Sequence, residues 1–82
     1  MDSKKLLEIV VKAADSKRAE DTVALDVQGI SILADYFVIT QANSERQVKA
    51  IADAVKEQVY EAGADVKDIE GKDGANWILL DL

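Results

Sequence analysis

The side chains of this sequence best suited to chemistry are carboxylates. Asp26 and Asp35 fall on or beside neighbouring apolar stretches and Asp81 on a third, so a magnesium site made of oxygen ligands is conceivable. Such a site would serve nucleotidyl or phosphoryl transfer, where two or three carboxylates converge on Mg²⁺ beside a phosphate-gripping loop. The rest of that pattern is missing. No Asp-x-Asp pair occurs on a strand-like stretch, and Gly71-x-x-Gly74 precedes a strand rather than opening a helix that would hold phosphate. The plainer reading is a set of strand-end and solvated carboxylates. Glycoside hydrolysis by a carboxylate pair meets a similar objection, since so small a sheet offers no evident cleft. Nucleophiles fare no better. With no His and no Cys, the chain has no imidazole triad, thiol nucleophile, zinc site or disulfide. Ser31 and Ser44 would need Lys as base, and no Ser-x-x-Lys spacing supplies one.

Two residues point to binding instead. Trp77 is the only Trp; it either packs into the core layer of a sheet or anchors a partner at the sheet margin, where Trp is enriched. Arg46 stands in the first turn of a helix, slightly against the macrodipole, and serves either a partner or a salt bridge to Glu45 or Asp35.

Composition narrows the field. At 82 residues the chain is one domain, and 49% hydrophobic with 32% charged residues is a globular balance, not a disordered one. Ten Lys and Arg against sixteen Asp and Glu give a net charge of −6. An acidic chain gains little from neutralising phosphates, so nucleic-acid binding is disfavoured and a basic protein partner favoured. The longest apolar runs, such as Trp77 to Leu80, fall far short of the roughly 20 residues of a membrane span. Lys4 and Lys5 before Leu6 and Leu7 faintly resemble a signal peptide, but Glu8 and Lys12 interrupt the stretch. The expected location is cytoplasmic.

These residues are positioned by six elements. Leu6, Leu7, Val10, Val11 and Ala14 recur at helical spacing over residues 3 to about 19, capped by Asp2 or Ser3. Residues 22–28 alternate as a strand with Val23, Leu25 and Val27 on the better-buried face. Gly29 breaks it, and residues 30–34 form a loop or helical turn. Residues 35–40 read as a central strand covered on both faces. Ser44 with Gln47 matches a capping box, and Val48, Ile51, Ala52, Val55, Val59 and Ala62 form the stripe of a second helix, closed by Gly63. Residues 66–70 are a short strand near an edge, 71–74 a loop, and 77–82 a final apolar strand. The expected fold is α/β, an α-β-β-α-β-β order with two helices on a four-stranded mixed sheet. The apolar last strand is expected to leave an open edge, as in a truncated domain that is prone to dimerise.

Taken together, several segments resemble the ribosomal silencing factor (Iojap-like) family. They are Leu25-Asp26-Val27-Gln28-Gly29, Ala34-Asp35-Tyr36-Phe37-Val38-Ile39, the helix start Asn43-Ser44-Glu45-Arg46-Gln47-Val48-x-Ala50-Ile51-Ala52, Glu70-Gly71, and Trp77-Ile78-Leu79-Leu80-Asp81-Leu82. The resemblance covers nearly the whole chain. It implies a nucleotidyltransferase-like fold without the catalytic carboxylates. It also implies a non-enzymatic factor that binds a basic large-subunit ribosomal protein at the subunit interface, blocks small-subunit joining and lowers translation when nutrients are short. Neither a cofactor nor a metal is implied. The sequence departs from the family in stopping at Leu82, where the family continues with a strand and a helix, and in Thr40-Gln41-Ala42 replacing a Gly-containing turn. On this reading Trp77 is the apolar anchor, Tyr36, Arg46 and Gln47 are rim contacts, and Asp35 and Glu70 complement the basic partner. The alternative is a small Mg²⁺-dependent nucleotidyl- or phosphotransferase using Asp26, Asp35 and Asp81.

Overall fold

Local signals at the chain's start set the first helix. The computed structural model describes residues 2–32, 34–71 and 76–82, so most of the loop expected over 71–74 lies outside the described residues. Helix α1 spans Ser3–Ser16, and the Asp2 carboxylate accepts from Lys5 N at 2.8 Å, as a capping side chain should. It ends before the expected residue 19 because Arg18 turns left-handed at φ 59° and Ala19 N returns to the Ala14 carbonyl at 3.2 Å. Strand β1, Glu20–Asp26, starts and stops two residues early. The Asp26 carboxylate accepts from Gln28 N at 2.9 Å, which folds the chain into a turn there. Strand β2 is Tyr36–Gln41. Helix α2, Glu45–Glu61, follows a Ser44 cap whose Oγ accepts from Gln47 N at 3.2 Å, and its stripe of Val48, Ile51, Ala52, Val55 and Val59 is buried as the spacing predicts. Ala62, expected in that stripe, is the exposed cap residue. Strands β3, Asp68–Glu70, and β4, Trp77–Asp81, complete the fold.

The sheet runs β1-β2-β4-β3, antiparallel at every junction, with two helices packed on it in an α+β fold. This differs from the mixed sheet expected. Helix α2 connects β2 to β3, which run the same way, but β4 inserts antiparallel between them, as in a split β-α-β unit. The last strand is therefore central. The open apolar edge expected at Leu82 does not exist: Leu82 N donates to the Tyr36 carbonyl at 3.0 Å and Asp35 N to the Leu82 carbonyl at 2.9 Å.

The core occupies one face of this sheet. Val38, Thr40, Ile78, Leu80 and Leu82 are buried with Leu6, Val10, Ala13 and Ala14 of α1 and the stripe of α2. Thr40 is the buried polar residue among them, and its hydroxyl bonds that of Thr22 at 2.9 Å, so no unpaired hydroxyl is buried. No helix among the described residues is long and apolar enough to cross a membrane.

Candidate functional site

Alternation along a strand sends successive side chains to opposite faces, so the pairing that puts Val38, Thr40, Ile78 and Leu80 under the helices puts their neighbours on the other side. Across that second face the register aligns Leu25, Phe37, Asp81 and Asp68 in one row and Val23, Ile39, Leu79 and Glu70 in the next. Glu20, Gln41 and Trp77 form a third. Six large apolar side chains thus adjoin on a face that neither helix covers. Val23, Leu25 and Trp77 are 48%, 44% and 46% exposed, while Phe37, Ile39 and Leu79 are half-buried by their neighbours. An exposed apolar patch with a polar margin marks a candidate interaction surface.

The charge lies at the margins. The centre of the face is apolar, while the β3–β4 side carries Asp68, Glu70 and Asp81 and the far end of β1 carries exposed Glu20 opposite Gln41. Asp68 and Asp81 stand directly opposite each other in the antiparallel register. Like charges directly opposite each other are unfavourable in a sheet.

Trp77 is held in a defined place. Gly71 adopts φ +88°, and a Cβ there would lie 2.8 Å from Trp77 Cζ3 and 2.9 Å from Cε3. The indole therefore rests against bare backbone on one side. Of the two roles open to it in the sequence, packing into the buried core layer does not apply: the ring lies on the uncovered face.

The other expected contact residues are dispersed. Glu70 shares the face with Trp77. Asp35 and Tyr36 lie at the opposite end of the sheet, where Ser3 Oγ donates to Asp35 Oδ2 and Gln28 Nε2 donates to the Tyr36 hydroxyl at 2.9 Å. Tyr36 also packs against the core, and both side chains hold that end of the fold together. Arg46 is exposed on the helix layer near the start of α2. Gln47 donates through Nε2 to the Lys17 and Arg18 carbonyls at 3.2 and 2.9 Å, closing the end of α1. Sequence reasoning does not single out Leu79, places Val23 and Leu25 on the better-buried face of their strand, and reads residues 35–40 as covered on both faces. Both of these expectations fail, because the helices pack on the opposite side of the sheet from Val23, Leu25, Phe37 and Ile39. Their alternation was the signal, but it marks a shared face and not what lies over that face.

The three carboxylates of the transferase alternative are not brought together. Asp26 pairs with Tyr36 on the helix side of the sheet, Asp81 sits on the uncovered face two strands away, about 10 Å by strand spacing, and Asp35 bonds Ser3. Among the described residues no group of three or more acidic side chains is placed to hold a metal ion.

The profile of one family, described as ribosomal silencing factor during starvation (RsfS), matches residues 1–82. The chain belongs to the ribosomal silencing factor family. Relatives named ribosomal silencing factor RsfS include those of Bacillus subtilis, 52% identical over the whole of this chain and 70% of that protein, and Halalkalibacterium halodurans, 46% identical with the same coverage. Among solved structures, a Bacillus halodurans protein aligns with TM-score 0.80 and 45% identity, over 98% of this chain and 74% of that one. A Chromobacterium violaceum protein aligns with TM-score 0.85 and 28% identity, over 99% and 68%. Of the segments that carried the resemblance to RsfS in sequence, the strand segments contribute Leu25, Phe37, Ile39, Glu70, Trp77 and Leu79 to the uncovered face, while the 43–52 segment starts α2 on the helix layer.

Proposed function

We propose that this chain is a non-enzymatic translational repressor of the cytoplasm that binds the large ribosomal subunit through a basic protein at the subunit interface. The observation that carries this reading is the uncovered sheet face, apolar across Val23, Leu25, Phe37, Ile39, Leu79 and Trp77 and acidic at its margins through Asp68, Glu70, Asp81 and Glu20. An apolar centre desolvates well, and its acidic margin complements a basic surface and speeds encounter with it. Silencing then needs no bond to be made or broken and no cofactor. A factor seated at the subunit interface occupies volume that the small subunit must enter, so it lowers translation under nutrient limitation by exclusion. With an acidic chain, direct contact with ribosomal RNA contributes little.

Capture of the chain from lysate followed by sucrose-gradient sedimentation tests this. The expected result is co-migration with large subunits and not with joined ribosomes. Co-migration with small subunits or with intact ribosomes would overturn it.

A further inference from the structure

We propose that the groove between α2 and β3 is a second docking site, one that takes an extended peptide of alternating aliphatic and basic residues as an added strand on β3. Three observations converge. First, β3 pairs with β4 on one side and ends the sheet on the other. Such an edge offers backbone N–H and C=O groups to an incoming strand, the basis of recognition by strand addition. Second, a cavity of about 560 Å³ lies between α2 and the β3 segment. It is lined by buried Val59, half-buried Val66 and Ile69, and by Tyr60, which is 79% exposed. An exposed aromatic beside an aliphatic floor is suited to hold an incoming aliphatic side chain. Third, the charge around the cavity is unbalanced: Glu57 and Asp65 line it against Lys56, and Asp68 borders it at the edge of β3.

Alternation along β3 sets the chemistry of the occupant. Ile69 pairs with buried Leu80 and faces the helix layer, while Asp68 and Glu70 pair with Asp81 and Leu79 and face the uncovered side. A strand laid beside β3 keeps the same alternation. Its residues level with Ile69 therefore enter the groove and want to be aliphatic. Those on either side lie beside Asp68 and Glu70 and want to be Lys or Arg. A second copy of this chain does not meet these terms. Antiparallel self-pairing centred on Ile69 would set Asp68 of one copy against Glu70 of the other, a like-charge contact.

The test is an NMR titration of the full 82-residue chain with a capped peptide of alternating Lys and Val. Saturable shifts are expected at Tyr60, Val66 and Ile69, and they should persist in a Trp77→Ala variant, which separates this site from the face proposed for silencing. The corresponding Glu–Val peptide, and the Lys–Val peptide against a chain carrying Asp68→Lys and Glu70→Lys, should each bind at least about tenfold more weakly. Amide positions elsewhere in the spectrum report whether that variant is folded. N-methylation of the peptide amides that face β3 should abolish binding. Equal binding of the N-methylated peptide would reduce the effect to charge attraction and overturn strand addition. Shifts confined to the Trp77 face, or self-association through β3 without peptide, would overturn the proposal as well.

Discussion

The Trp77 indole edge packs against the backbone of Gly71, and a methyl group at residue 71 would sit 2.8 Å from Cζ3 and equally close to the Trp77 carbonyl oxygen. Two neighbouring strands thus meet at a point where one residue has no side chain and the other has the largest. The contact holds one part of the ring while the residue stays 46% exposed. Pre-positioning of this kind lowers the ordering cost of an anchor residue on binding.

Gly71→Ala tests the contact. The substituted residue must hold φ +88°, which L-residues rarely adopt, and must displace the indole. A loss of about 1–3 kcal/mol is expected from the backbone strain. Thermal melting should fall, and the emission of the single Trp should shift as the ring lifts. An unchanged melt with unchanged emission would show that ring and backbone are not in contact.

Much of this fold is legible in the sequence because its signals are local. The Ser44 cap, the stripe from Val48 to Val59 and Gly63 each act within a few residues, and α2 appears where they place it. Strand order is set by pairings between distant segments, so nothing near Trp77 announces that the last strand lies between β2 and β3. The site is legible in part for the same reason. Val23 and Leu25 visibly share a face, but which face the helices cover is decided by tertiary packing. Asp35 and Tyr36 read as surface residues, yet Ser3 and Gln28, distant or offset in sequence, occupy them.

Ser44 is a structural cap, and Ser44→Ala should cost about 1 kcal/mol by leaving the first turn of α2 without its acceptor. Large-subunit binding by the folded variant should be nearly unchanged, because the cap lies on the helix layer. Lost binding at an unchanged melting temperature would give Ser44 a place in the interface.

Gln47→Ala is expected to lower stability by about 0.5–1 kcal/mol, since two solvent-exposed carbonyls at the end of α1 exchange its amide for water. Equilibrium denaturation measures this directly. Binding should follow only the fraction folded. A binding defect with no stability defect would return Gln47 to the rim of the partner surface.

Trp77 separates the two possible roles most sharply. A core Trp replaced by Ala costs about 3–5 kcal/mol of folding stability, enough to unfold many small domains. The ring here is 46% exposed and on the face away from the core, so Trp77→Ala should cost clearly less than that and leave a folded chain. Binding should instead weaken by at least about 2 kcal/mol, the threshold for an interface hot spot. Fluorescence gives an independent readout, because this is the only Trp. The free chain should emit with the red shift of a solvated indole and move blue when large subunits are added. A variant that keeps both its fold and its full affinity would remove Trp77 from the silencing surface. A blue spectrum indifferent to the partner would place the ring in a buried setting and retire its interface role.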